Sequence, residues 1–117
     1  MDQKPNKYPL ENRTAEFSRR IIQFCKSLKQ DSISRPIIDQ LMRSGTSIGA
    51  NYMEANNASS KKDFRNKIFI CKKEAQETKY WLTMSKEIIT TEEVKSLSQE
   101  AQELTMIFQS IVSKIDK

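Results

Sequence analysis

Between positions 61 and 73, six basic residues stand against one acid: Lys61, Lys62, Arg65, Lys67, Lys72 and Lys73 against Asp63. The whole chain of 117 residues carries a formal net charge of +5, and residues 88–117 hold three basic and five acidic side chains. The positive charge is therefore concentrated. If this segment is helical, Lys61, Arg65, Lys72 and Lys79 fall together, roughly 60–100° from the centre of its apolar stripe. A basic stripe neutralises phosphates and supports salt-sensitive binding without sequence preference. It also reads as an ordinary solvated flank whose lysines pair with Glu74 or Glu77. In a ring-shaped oligomer, symmetry would repeat the stripe and sum its field. Arg13, Arg19, Arg20, Lys26 and Lys29 form a second basic group near the N-terminus.

Other chemistry has little to work with. There is no histidine, the commonest general base and metal ligand. No CxxC pair, P-loop or GxGxxG is present. Glu74 and Glu77 stand three apart, but no Glu-x-x-His motif accompanies them, so neither a di-iron site nor any other metal site is expected. Glu54 is expected to make a helix–helix hydrogen bond or ion pair rather than to act as a catalytic acid. Cys25 and Cys71 fall on apolar stripes and read as buried free thiols. The expectation is a protein with no catalytic residues, no cofactor and no enzymatic activity.

These side chains need elements to hold them, and the pattern predicts helices. Only 2 glycines and 3 prolines interrupt the chain. Residues 1–12 read as a flexible N-terminal tail and residues 13–117 as one bundle domain. Helix one is expected from near Thr14 to near Gln30, with Phe17, Ile21, Phe24, Cys25 and Leu28 inward. Helix two starts around Ser34 as candidate N-cap, with Pro36 in its first turn; Ile38, Leu41, Gly45, Ile48, Tyr52 and Ala55 form its stripe, and Asn56-Asn57-Ala58 ends it. Ser60-Lys61-Lys62-Asp63 resembles a capping box opening helix three, whose stripe is Phe64, Ile68, Cys71, Ala75, Thr78, Leu82 and Ser85. Thr90-Thr91-Glu92-Glu93 caps helix four in the same manner, ahead of Val94, Leu97, Ala101, Leu104, Phe108, Ile111 and Ile115. Steps of three and four, joined by short connections, predict an all-α, antiparallel up-and-down four-helix bundle.

One bundle does not use all the apolar surface. Ile70, Trp81, Met84 and Ile88 lie to one side of the helix-three stripe, and Phe69 and Tyr80 to the other. Helix two adds Met42, Gly49 and Met53. Such a band calls for burial against another subunit, or beneath the N-terminal tail. The candidate oligomer interface is Met42, Met53, Phe69, Ile70, Tyr80, Trp81 and Met84, with Trp and Tyr as favoured anchors. The longest apolar run, Ile68-Phe69-Ile70-Cys71, is far short of a membrane span, and no secretory signal is visible. A cytoplasmic protein without membrane contact is expected.

The run Arg43-Ser44-Gly45-Thr46-Ser47-Ile48-Gly49-Ala50-Asn51-Tyr52-Met53-Glu54-Ala55 resembles a bacterial family, as do Ser60-Lys61-Lys62-Asp63-Phe64 and Lys73-Glu74-Ala75-Gln76-Glu77-Thr78-Lys79-Tyr80-Trp81-Leu82. These are the four-helix bundle proteins read from intervening sequences of large-subunit ribosomal RNA genes, sometimes labelled ribosomal proteins. The accessory variability determinant protein of diversity-generating retroelements is similar. Ser47, Ile48, Ala50, Asn51 and Glu54 carry the most specific part. Asn56-Asn57 stands where many relatives have glycine, and Lys72 where many have an apolar residue. The resemblance implies a homopentameric barrel with a basic surface, binding RNA or DNA and, in the retroelement case, a reverse transcriptase. The leading expectation is a non-enzymatic oligomeric accessory protein that binds nucleic acid through Lys61, Lys62, Arg65, Lys72, Lys73 and Lys79. The alternative is a protein-binding scaffold whose apolar helix-three face engages a partner protein.

Overall fold

In the computed structural model, which describes residues 9–117, four helices follow one another: α1 (Pro9–Ser27), α2 (Ser34–Asn56), α3 (Lys61–Ser85) and α4 (Glu92–Ile115). The connections are short, so sequential helices run antiparallel. α2 packs on α1 and α3, α3 packs on α4, and a slighter contact between α1 and α4 closes the ring. The fold is the expected all-α up-and-down bundle.

The helix ends show which local rules won. α1 already includes Pro9, five residues before the expected start; a proline suits a first turn, where its missing N–H is no loss. Residues 9–12 thus belong to the bundle, and the rest of the expected tail lies outside the described residues. Ser34 is not the N-cap of α2. The Asp31 carboxylate takes that role, accepting from the backbone N–H groups of Ile33 at 3.0 Å and Ser34 at 2.8 Å. Ser34 Oγ instead donates to the Lys29 carbonyl and accepts from the Asp31 N–H. Ser60 caps α3 as expected, accepting from Asp63 N at 3.0 Å, but Asp63 reaches back to Ser59 rather than to Ser60. Thr91, not Thr90, caps α4, through Val94 N; no glutamate then stands at the third position and the box is open. The α2–α3 turn closes on Asn57 with φ −109°, so it needs no left-handed residue and no glycine.

The core holds most of the expected inward residues of all four helices, with Phe17, Ile21, Leu41, Ile48, Ile68, Leu82, Leu97, Leu104 and Phe108 almost wholly enclosed and Tyr52 and Phe64 half-buried at its edge. Burial of each such side chain contributes about 1.5–3 kcal/mol. At the end of α4 Val112 is buried while Ile111 and Ile115 are half-buried. A straight helix drifts from a 3.5-residue repeat, and the stripe moves by one position. Buried hydroxyls bond back to their own helices: Ser44 to Gln40 O, Thr78 to Glu74 O and Thr105 to Ala101 O. α1 and α2 approach closely at Gly45, where an added Cβ would stand 2.8 Å from Ile21 Cγ2. Opposite, Arg13 forks onto Glu100 with two bonds of 2.7 Å, and Arg20 reaches Glu93 and Ser96, tying α1 to α4. Among the described residues, no helix is long and apolar enough to cross a membrane.

Candidate nucleic-acid interface

α3 is flanked by neighbours on two sides, and its charged residues divide accordingly. Toward α2, Arg43 bonds Glu74 at 3.0 Å and also Glu77, and Lys67 meets Glu54 at 3.1 Å. Glu54 is thus an ion-pair partner between helices, as its position suggested. Glu74 and Glu77 are engaged by an arginine of α2 rather than by α3's own lysines. Ser47 and Asn51 bond back to α2's own backbone, Ile48 is enclosed in the core and Glu54 pairs with Lys67 of α3, while Ala50 is exposed on the α1 side.

Toward α4, the basic stripe is only partly free. Arg65 forks onto Asp116, and Lys79 Nζ donates to Gln102 Oε1 at 2.7 Å. The guanidinium holds the Asp116 carboxyl below its ordinary range, and Asp116 in turn raises Arg65. Residues roughly 60–100° from the core centre sit where the neighbouring helix packs, so their long side chains reach across the seam. Arg65 is therefore neutralised locally. Lys79 keeps its charge, because glutamine is neutral, but its amine is engaged. Lys72 is half-buried, with Nζ 5.6 Å from the Phe69 ring centroid, beside a shallow depression bordered by Thr105, Met106 and Gln109. Lys61, Lys62 and Lys73 are exposed, and none has a carboxylate partner among the described residues. The six expected phosphate contacts thus become four available cations and two that hold the bundle together.

The seven expected interface residues do not make one face. Met42 and Trp81 are half-buried against the chain's own core, and Trp81 Nε1 donates to Glu77 Oε2 at 3.2 Å. Met84 is half-buried, and Ile70, 37% exposed, shares its side of α3. Met53, 52% exposed, lies away from α3, beside Ala15, Ile22 and Gly49 at the α1–α2 seam. Phe69 and Tyr80, 41% and 53% exposed, point outward from α3. Exposed Ile33 and Met106 were not anticipated; Ile33 is a single apolar residue between serines, and Met106 falls off the helix-four stripe inside an apolar run. Cys25 and Cys71 are free and buried.

Fold and surface define a helical bundle whose third helix presents exposed aromatics, and cations that are unpaired among the described residues. The chain belongs to the family of 23S rRNA-intervening sequence proteins, which its residues 7–110 match. It is also similar to a protein of unknown function of the S23 ribosomal protein family from Bacteroides thetaiotaomicron, known from a crystal structure. The two are 39% identical, with a TM-score of 0.80 over 87% of this chain and 96% of that one. No protein of curated function matches the chain.

Proposed function

We propose that this chain is a non-enzymatic, self-associating cytoplasmic accessory protein that binds nucleic acid without strong sequence preference. The observation that supports it is the set of Lys61, Lys62, Lys72 and Lys73, four cations on one helix with no acidic partner among the described residues. Phosphate neutralisation by such residues releases counterions and is blind to base sequence. A homopentamer, which the family resemblance implies, would present the set five times, and a reverse transcriptase is a fitting protein partner. The exposed Ile70 beside half-buried Trp81 and Met84 favours a second reading, in which that face engages a different protein.

The test is a comparison of two charge-matched variants. One reverses Lys61, Lys62, Lys72 and Lys73 to Glu; the other reverses the exposed Lys26, Lys29, Lys86 and Lys114 to Glu. The wild type should bind RNA or DNA duplexes with a log–log salt slope of about −0.9 per neutralised phosphate. The α3 variant should lose binding and keep its helical circular dichroism, and the second variant should retain most of the affinity. Equal loss in both would assign binding to net charge alone. Absence of wild-type binding at low salt would overturn the proposal in favour of the protein-partner reading.

A further inference from the structure

Four side chains on the outer surface of α3 fall on one line: Lys62, Phe69, Lys73 and Tyr80. Their spacings of seven, four and seven residues keep them within about 40° of one another around the helix, on the side facing away from the core. Cation and aromatic alternate along roughly 27 Å of helix. All four are exposed, Phe69 by 41% and Tyr80 by 53%. Among the described residues neither lysine reaches a carboxylate, because the line lies outside both seams where the acids of α2 and α4 sit. Lys72 borders the line and rests its ammonium against the Phe69 ring, so aromatic and charge are presented together. Trp81 meets Tyr80 edge to face at 5.0 Å, which steadies the Tyr80 ring without covering it.

We infer that this ridge binds single-stranded nucleic acid, with unpaired bases stacked on Phe69 and Tyr80 and the intervening phosphates on Lys62, Lys72 and Lys73. The inference rests on the proposed nucleic-acid function and narrows its substrate class. A duplex hides the faces of its bases and would use only the lysines. A single strand offers both faces and phosphates, the two things this ridge can engage. Stacking of this kind is tolerant of sequence, since every base has a π-face.

Fluorescence anisotropy with short oligo(U), oligo(dT) and a duplex of equal length separates the possibilities. Both single strands should bind more tightly than the duplex, and their order assigns RNA or DNA as the preferred strand. Phe69→Ala and Tyr80→Ala should each weaken single-strand binding about ten-fold and leave duplex binding unchanged. Phe69→Trp and Tyr80→Phe should restore it. Duplex binding equal to or tighter than strand binding, or wild-type affinity in both alanine variants, would overturn the stacking inference and leave the phosphate contacts standing. Parallel loss of strand and duplex binding with a smaller particle in light scattering would also overturn it, making the ridge a contact between copies. If no nucleic acid binds at all, both readings fall.

Discussion

Arg65 and Asp116, fifty-one residues apart, form a forked ion pair with bonds of 2.6 and 2.8 Å that joins α3 to the end of α4. The pair withdraws one cation from the basic helix. Asp116→Asn should return it, raising nucleic-acid affinity several-fold at low salt. The salt slope should steepen by up to about 0.9. Titrations of both proteins across salt concentration check this; identical slopes and affinities would mean that Arg65 lies beyond reach of the bound phosphates.

Stability should fall on both sides of neutrality. Three carboxyls are held below their ordinary values: Asp31 by the backbone N–H and side chain of Ser34, Glu103 by Gln99 and Arg13, and Asp116 by Arg65. Their contribution is complete above the ordinary values of 3.8 and 4.5 and is lost as pH falls through the lower folded values. Burial pushes the Cys25 thiol up to about 11 and Cys71 to about 12, from 9.0. The raised thiols contribute below pH 9.0, and that contribution is lost as pH rises through about 11 to 12. Denaturant midpoints should be level at neutral pH and drop in both windows.

The two glycines of α2 should respond in opposite directions. A Cβ on Gly45 would sit 2.8 Å from Ile21 Cγ2 and 2.9 Å from Cγ1, so Gly45→Ala must push α1 away or strain Ile21. Overpacking of this kind costs about 1–3 kcal/mol, more than the roughly 1 kcal/mol of helix propensity gained. At Gly49 the added methyl meets Ser18 Oγ and the Thr14 carbonyl oxygen at 3.4 Å, ordinary contact. Gly49→Ala should therefore be neutral or stabilising by up to about 1 kcal/mol. Thermal unfolding of the two variants decides it.

Native protein should resist thiol reagents. Cys25 is 3% exposed and Cys71 is fully enclosed, its Sγ donating weakly to the Ile48 carbonyl at 3.5 Å. Both raised thiols carry little thiolate near neutrality. Labelling should follow global unfolding, with mass spectrometry showing both sites modified together in denaturant. Fast modification of Cys71 under native conditions would contradict its placement.

Self-association has a sharper probe than the tryptophan. Trp81 packs on its own core and bonds Glu77, so Trp81→Glu should lower stability by about 2 kcal/mol whatever the assembly state. Ile70 is 37% exposed and is not one of the core residues. Ile70→Glu should leave the melting temperature of a monomer unchanged and, if its side of α3 meets another copy, reduce the particle size. Light scattering at micromolar concentration should show an oligomer for the wild type; a wild-type monomer would remove self-association from the proposed function.

The sequence by itself determined the four helices, their inward stripes and the bundle, because apolar spacing near 3.6 residues leaves a helix only one face to bury. Phe17, Ile21, Leu41, Ile68, Leu82, Leu97 and Phe108 could all be placed inside from spacing alone. It also determined where charge concentrates, since Lys61 to Lys73 is basic in any fold. What it left undecided was which of those charges are free. Lys72, Arg65 and Lys79 share a flank, yet only the packing of α4 brings Asp116 to Arg65 and Gln102 to Lys79. Residues so far apart in sequence meet by helix register, and periodicity carries no information about register between helices. The same limit explains Trp81, which its angle placed outside the stripe. Its ring is large enough to reach the core from the flank once α2 and α3 have packed. Local competition for backbone N–H groups decided the rest, giving the cap of α2 to Asp31 rather than Ser34, because one carboxylate oxygen meets the free N–H groups two and three residues further on at once.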